Sequence, residues 1–214
     1  MIYICKLISP LSTGISAGDI EEGKLVSLNE GGVPVQFYMA KQDYESGLNG
    51  AGRTLLVRKD VYDQRQWNSS NVNAWADSDL LTWLNGTYKA LLPPEIQAAM
   101  GTTTYYYTPG SGNNTVTTRT DSVFQLSLTE LGESFPHVNE EGTALPISNL
   151  LRVAYLNGNT NTQWTRSLRT SSSVSIIYLD SEGNVISSHP NSTHGSRPCF
   201  TLPADFKFKE SEVS

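Results

Sequence analysis

The chain has 214 residues, enough for one large domain or two small ones, and 38% of them are hydrophobic while only 17% are charged. A formal net charge of −6 argues against nucleic-acid binding, because proteins that bind nucleic acid usually carry a basic face. The sequence contains no apolar run of about 18 residues, so we expect no membrane insertion.

The sequence of residues 1–59 predicts mainly strands. Residues 1–8 are apolar but lack a basic start and a cleavage site, so we expect a first strand rather than a signal peptide. Residues 24–28 and 33–39 alternate apolar and polar side chains, as half-buried strands do, and the Gly-containing turn at 29–32 joins them as a hairpin. Residues 53–59 predict a strand that is buried on both faces.

Two short helices follow. Residues 76–79 offer an N-cap, and an apolar stripe at helical spacing over residues 80–88 predicts a helix of about ten residues that includes Trp83. Pro93 and Pro94 begin a second helix that ends at Gly101.

The second half of the chain predicts short strands between long loops. Strands are expected at residues 102–108, 122–128 and 175–179, a loop at 109–114, irregular structure at 132–149, and a turn at 180–184 that leads into a strand at 185–186. The expected fold class is α+β, with short antiparallel strands, two small helices and long ordered loops.

Metal and cofactor sites are not expected. Cys5 and Cys199 are the only cysteines, which allows two buried thiols or one disulfide but no four-thiolate zinc site. Asp180, Glu182 and Asn184 alternate as calcium ligands can, but we expect an ordinary polar turn there instead. We expect no metal and no cofactor.

Catalytic motifs are also missing from the sequence. No nucleophile elbow, zinc-protease motif, P-loop or dinucleotide fingerprint occurs. Two histidines stand near many serines in the last fifty residues, but composition alone does not establish a Ser–His pair. We therefore expect a protein that is not an enzyme.

The last fifty residues carry the strongest functional signal. Two motifs, at residues 163–167 and 195–202, enclose stretches of small polar residues, which suggests a rigid frame that presents a recognition surface. Trp164, Arg166 and Arg197 are predicted as the structural frame, with ligand contact as the alternative for the arginines. Core roles are expected for Trp67, Trp75 and Trp83 as well. The predicted ligand-binding residues, whose alternative is a solvated loop, are Arg169, Thr170, Ser171, Ser172, Ser173, Val174, Ser187, Ser188, His189, Asn191, Ser192, Thr193 and His194.

Several segments in order resemble an uncharacterised domain family common in phages and prophages of Firmicutes. The segments are residues 54–60, 65–68, 75–85, 121–127, 152–158, 164–167, 178–183 and 195–198. That family is similar to C-type-lectin-fold proteins, which include phage tropism determinants and the variable proteins of diversity-generating retroelements. The resemblance covers about residues 24–203. Gln163, Thr165 and Leu168 stand where the family has Trp, Leu and Pro.

The resemblance implies a C-type-lectin-like fold, with residues 21–214 as one domain and residues 1–20 as an N-terminal strand and possible docking segment. It implies a receptor-binding protein of a phage tail that is made in the host cytoplasm and carried on the virion. Its partners would be a bacterial cell-surface protein or glycan, other phage tail proteins and further copies of itself. The alternatives are a retroelement-diversified display protein on a bacterial cell surface, and a structural tail decoration protein.

Two structural expectations accompany this resemblance. The strands at the two ends of the chain are expected to pair with each other. Cys5 and Cys199 are expected to lie close together and to stay reduced, because virion proteins assemble in a reducing cytoplasm.

Overall fold

The computed structural model describes residues 14–214, and its architecture is mixed, 18% helical and 37% strand. The strands are β1 (Gly14–Ser16), β2 (Leu25–Glu30), β3 (Val33–Lys41), β4 (Arg53–Arg58), β5 (Asp63–Gln66), β6 (Thr103–Tyr107), β7 (Thr117–Asp121), β8 (Ala154–Leu156), β9 (Asn159–Asn161), β10 (Gln163–Leu168), β11 (Ile176–Leu179), β12 (Val185–Ser188), β13 (Thr193–Ser196), β14 (Cys199–Pro203) and β15 (Lys207–Lys209). The α-helices are α1 (Ser46–Asn49), α2 (Asp79–Trp83), α3 (Pro94–Met100) and α4 (Ser148–Leu151).

The strands form several small antiparallel sheets, as the α+β prediction requires. The largest has the order β14-β4-β3-β2, and β10-β11-β12 form a second sheet of three strands. The pairs β1-β15, β5-β13, β6-β7 and β8-β9 complete the pattern. The predicted β2–β3 hairpin is confirmed, with Gly31 and Gly32 both at positive φ in its turn. The prediction of a buried strand at residues 53–59 is confirmed by β4, in which residues 54–57 have no exposed surface.

The two ends of the described chain lie together. β1 pairs with β15, and the main chain of Ser214 exchanges two hydrogen bonds with Leu25 at the start of β2. The strand predicted at residues 1–8 and the predicted proximity of Cys5 to Cys199 lie outside the described residues. Cys199 itself is buried, donates to the carbonyl of Phe124 at 3.2 Å, and has its pKa raised by burial.

Both predicted helices are confirmed. The Ser78 hydroxyl accepts a hydrogen bond from the Leu81 amide at 3.1 Å and caps α2. The helical path then continues as a π-helical turn (Leu84–Tyr88) and a 3-10 turn (Lys89–Leu91), so the helical segment is irregular. α3 ends before Gly101, whose φ of 55° an L side chain rarely adopts.

The prediction of a strand at residues 122–128 is wrong. Only Phe124 forms a β-bridge there, with Cys199, while the Leu126 carbonyl accepts from the Arg166 amide and the Leu128 amide donates to the Ser167 hydroxyl. The segment is buried and apolar like a strand, but its main-chain groups are satisfied one by one by different parts of the chain. Apolar composition therefore predicted the burial and not the hydrogen-bonding pattern.

The hydrophobic core is one cluster that reaches from Ala17 to Phe208. Trp67 and Trp75 are fully buried with ring centroids 5.4 Å apart, which confirms their predicted core role. Trp83 only packs against the edge of the core, partly covered by the guanidinium of Arg65, so its predicted core role needs that correction. No helix in residues 14–214 has the length and apolar character needed to cross a membrane.

Candidate functional site

The sheet β10-β11-β12 brings the two predicted recognition segments side by side. Residues 169–174 lead into β11, residues 187–194 begin at the end of β12, and Ile177 is paired with Ser187 between these two strands. We call residues 169–174 and 187–194 together the polar face. Between its two segments lies a shallow cavity of about 190 Å³. It is lined by Arg169, Ser172, Val174, Ser175, Ser187, Ser188 and His189.

The main chain of the first segment is held by the rest of the protein. Asn73 donates through its side-chain amide to the Ser172 carbonyl at 2.6 Å and through its main-chain amide to the Ser173 carbonyl at 3.0 Å. The Thr170 amide donates to the carbonyl of His137 at 2.7 Å. Asn73 lies about a hundred residues before this segment in the sequence, so its two bonds fix the segment to a distant part of the chain.

The main chain of the second segment is fixed in the same way. The Pro190 carbonyl accepts from the amides of Trp67 and Asn68, both at 2.9 Å, and the side chain of Gln66 donates to the Asn191 carbonyl at 2.7 Å. Residues 193–196 then form β13 and pair with β5. The second segment of the polar face therefore runs from the end of β12 through a turn into β13.

Several side chains of the polar face are free. Ser171, Ser173, His189, Asn191 and Thr193 are exposed, and none of these side chains makes a hydrogen bond within residues 14–214. The hydroxyls of Ser187 and Ser188, which are half-buried, also lack a partner among those residues. The face thus offers hydroxyl, amide and imidazole groups on a fixed backbone.

His194 behaves differently from the other predicted site residues. Its ring stacks on Tyr178 at a centroid distance of 3.8 Å and meets the Trp164 ring edge-on at 4.5 Å. Its Nδ1 lies 3.1 Å from the hydroxyl of Thr162. Burial lowers the pKa of His194 to about 4. The neutral ring therefore packs against the rings of Tyr178 and Trp164 and is not one of the exposed groups of the polar face.

The low pKa of His194 predicts an acid-sensitive fold. The unfolded chain takes up a proton near pH 6.5 and the folded chain only near pH 4, so the free energy of unfolding falls as the pH drops through that window. The effect should be about 1–2 kcal/mol, because solvent screening reduces the value for a partly buried group. His194→Phe keeps an aromatic ring and removes the titration, so its stability relative to wild type should rise on acidification. Urea unfolding at pH 7, 6, 5 and 4 measures this, and a constant difference would contradict it.

Arg166 lies at the centre of a buried polar network. Its Nε donates to the Tyr106 carbonyl and its Nη1 to the Gln125 carbonyl, both at 2.8 Å. The same Nη1 lies 2.7 Å from the carboxylate of Glu130, and both side chains are fully buried. Burial alone would lower the pKa of Arg166, but the charge of Glu130 and its hydrogen bond, together with Tyr44 and Glu141, outweigh burial and raise that pKa.

Sequence reasoning missed the carboxylates of this network. Glu130 also accepts from the Tyr44 hydroxyl, and buried Glu141 accepts from the Thr108 amide at 2.8 Å and from the Ser167 hydroxyl at 2.7 Å. Burial raises the pKa of Glu141. One signal was available for Glu130. The Ser127-x-x-Glu130 spacing is that of a capping box, and the two residues do exchange the reciprocal bonds of one.

Arg197 is buried without a carboxylate partner. Its guanidinium donates to the carbonyls of Arg58 at 2.8 Å, Leu151 at 2.6 Å and Lys59 at 2.6 Å. Burial lowers the pKa of Arg197 to about 10. Trp164 is also buried, and its Nε1 donates to the Arg65 carbonyl at 2.9 Å. All three residues predicted as the frame therefore make their contacts inside the protein.

The predicted polar turn at residues 180–184 is confirmed. The Asp180 carboxylate accepts from the amides of Glu182 and Asn184, both at 2.9 Å, and from the Asn184 side chain at 3.0 Å. These bonds occupy the carboxylate within the turn and hold it closed.

The comparisons with known proteins give a family and no function. A family model described as a domain of unknown function, DUF6273, matches residues 51–204, and the chain belongs to this family. No curated protein and no solved structure matches the chain. The matched residues include the whole polar face, Arg166 and Arg197.

Proposed function

We propose that this DUF6273 domain is the receptor-binding protein of a phage tail and attaches the virion to a bacterial cell surface through the polar face. One observation carries the proposal. The main chain of the face is fixed by hydrogen bonds from distant parts of the fold, whereas exposed side chains such as Ser173, His189 and Asn191 have no partner within the described residues. Such side chains can bind a ligand, and can change between relatives, without disturbing the core.

A C-type-lectin-like fold is part of this proposal. It is supported by the mixed architecture, the small antiparallel sheets, the β1-β15 pairing of the two ends of the described chain, and the long ordered stretch at residues 132–147 between elements. A rigid scaffold that presents loops from one side suits a protein whose ligand contacts vary.

The chemistry of the face suits a polar ligand. Hydroxyl, amide and imidazole groups give adaptable hydrogen bonding to a sugar or to a polar protein surface. No cofactor is needed for this role.

A single site of this kind should bind weakly, so the proposal includes several copies on one virion. Repeated copies convert later contacts into intramolecular ones and raise the overall avidity. We propose a homo-oligomer that contacts other phage tail proteins, with residues 1–20 as the docking segment.

The test is to replace Ser171, Ser173, His189 and Asn191 together by alanine and to measure adsorption to host cells. The substituted side chains are exposed and make no hydrogen bonds within the described chain, so the melting temperature should stay unchanged. Adsorption should fall at least tenfold, about 1.4 kcal/mol. The matched control replaces Ser46, Thr87, Thr102 and Ser211, which are also exposed polar residues but lie outside the polar face, and should adsorb normally.

Three results would count against the proposal. A folded quadruple variant that adsorbs like wild type would remove the polar face as the site. A wild-type protein that binds no cell would overturn the attachment function and favour a structural decoration protein. A reverse transcriptase and template repeat beside the gene, without tail genes, would favour a retroelement-diversified display protein.

A further inference from the structure

Arg169 differs from the other arginines of the chain, since its guanidinium donates no hydrogen bond within residues 14–214. Its Nε is shielded from solvent and has no partner there. Each of the others donates to a carboxylate, a hydroxyl or a main-chain carbonyl: Arg53, Arg58, Arg65, Arg119, Arg152, Arg166 and Arg197. A shielded guanidinium donor without an acceptor is costly, so an acceptor supplied by a ligand would stabilise the Arg169 side chain.

The surroundings of Arg169 favour an anionic partner. It lines the 190 Å³ cavity of the polar face, together with four serines and His189, and none of the lining residues is acidic. The Phe135 ring lies 5.7 Å from the guanidinium centre and supports the side chain by a cation–π contact. The cavity thus combines one positive charge with neutral hydroxyl groups that can also donate.

The size of the cavity limits what it can hold. A volume of about 190 Å³ is below the range of roughly 300–1,000 Å³ that encloses a whole small molecule. It suits one charged group that projects from a longer chain, and a planar guanidinium matches the oxygens of phosphate and carboxylate in particular.

We propose that this cavity binds one anionic group, a phosphate or a carboxylate, of a cell-surface polymer, with Arg169 as the charged donor and Ser172, Ser187 and Ser188 as neutral donors. The inference rests on the proposed attachment function and narrows its ligand to an anionic polymer. Because the protein carries a net charge of −6, its overall field repels such a polymer, so the attraction must come from short-range contact within the cavity.

The test titrates the protein by calorimetry with poly(glycerol phosphate), polygalacturonate and neutral dextran at physiological ionic strength. Wild type should bind at least one polyanion at least tenfold more tightly than dextran. Arg169→Gln should lose at least tenfold of that affinity, and Arg169→Lys should lose less, because an ammonium keeps the charge without the planar fork. The control Lys24→Gln removes the same charge from an exposed site outside the polar face and should stay within twofold of wild type.

The probes separate the two sources of the anion. If Arg169→Gln loses binding to poly(glycerol phosphate) alone, the ligand group is a phosphate. If it loses binding to polygalacturonate alone, the ligand group is a carboxylate. If Arg169→Gln fails to fold, Ser188→Asp decides instead. It places a negative charge in the cavity beside an intact Arg169 and should abolish polyanion binding.

The outcomes also distinguish this inference from the attachment function. Polyanion binding that is unchanged in folded Arg169→Gln overturns the inference, and so does wild-type protein that adsorbs to cells but binds neither polyanion. In both cases the proposed attachment function still holds if the quadruple alanine variant no longer adsorbs to cells. Wild type that binds a polyanion through Arg169 but adsorbs to no cell supports the site and overturns the attachment function.

Discussion

Replacing Arg166 by methionine is expected to lower the free energy of unfolding by about 3–5 kcal/mol. The substitution keeps most of the side-chain volume and removes the charge. It leaves the fully buried carboxylate of Glu130 without its cation, and it deprives the carbonyls of Tyr106 and Gln125 of their donor. An uncompensated buried charge is the dominant cost, because no water can reach it. Urea unfolding and thermal melting measure the loss.

A matched control tests whether the stability loss comes from the burial of the ion pair or from the loss of any ion pair. Arg152→Met also breaks an ion pair, with Glu133 at 2.6 Å, but the two side chains keep 41% and 24% of their surface exposed. Exposed pairs contribute about 0–1 kcal/mol, so this variant should melt close to wild type. Equal losses for the two arginines would contradict our account of the network, as would an Arg166→Met protein of wild-type stability.

The local parts of the fold could be predicted from the sequence. The β2–β3 hairpin is encoded by alternation and by two glycines, and α2 and α3 by an N-cap, an apolar stripe, prolines and a terminal glycine. Two of the strands that were missed are of another kind. β5 and β13 are polar and pair across about 130 residues of sequence, with His194 opposite Arg65. Nothing local marks them, because their partner lies far away in the chain.

The candidate site shows the same limit. The sequence placed small polar residues on two segments, and the sheet brings those segments together. It could not distinguish side chains that face solvent from those that support the face, such as His194, whose role depends on the rings of Tyr178 and Trp164. The missing partner of Arg169 was equally invisible, because it emerges only when the contacts of all the arginines are compared.

Trp164→Ala is the second variant with a large expected effect, again about 3–5 kcal/mol as for other buried aromatic residues. The indole is 1% exposed, and its Nε1 donates to the Arg65 carbonyl. Its ring packs edge-on against Tyr178 at 6.0 Å and against His194 at 4.5 Å. Truncation leaves a cavity directly beneath the polar face and an unsatisfied carbonyl in β5. The melting temperature should fall by about 10 °C or more.

The decisive comparison is between stability and binding in this variant. If Trp164 belongs to the frame, the folded fraction of Trp164→Ala should still adsorb to cells at a temperature well below its melting point, because the exposed side chains of the face are unchanged. Tyr155→Ala serves as the control, since that ring is 44% exposed and its loss should change stability by less than about 0.5–1 kcal/mol. A Trp164→Ala protein with the wild-type melting temperature and no adsorption would instead place the indole in the ligand site, and Arg65, whose carbonyl it holds, would then be the next residue to test.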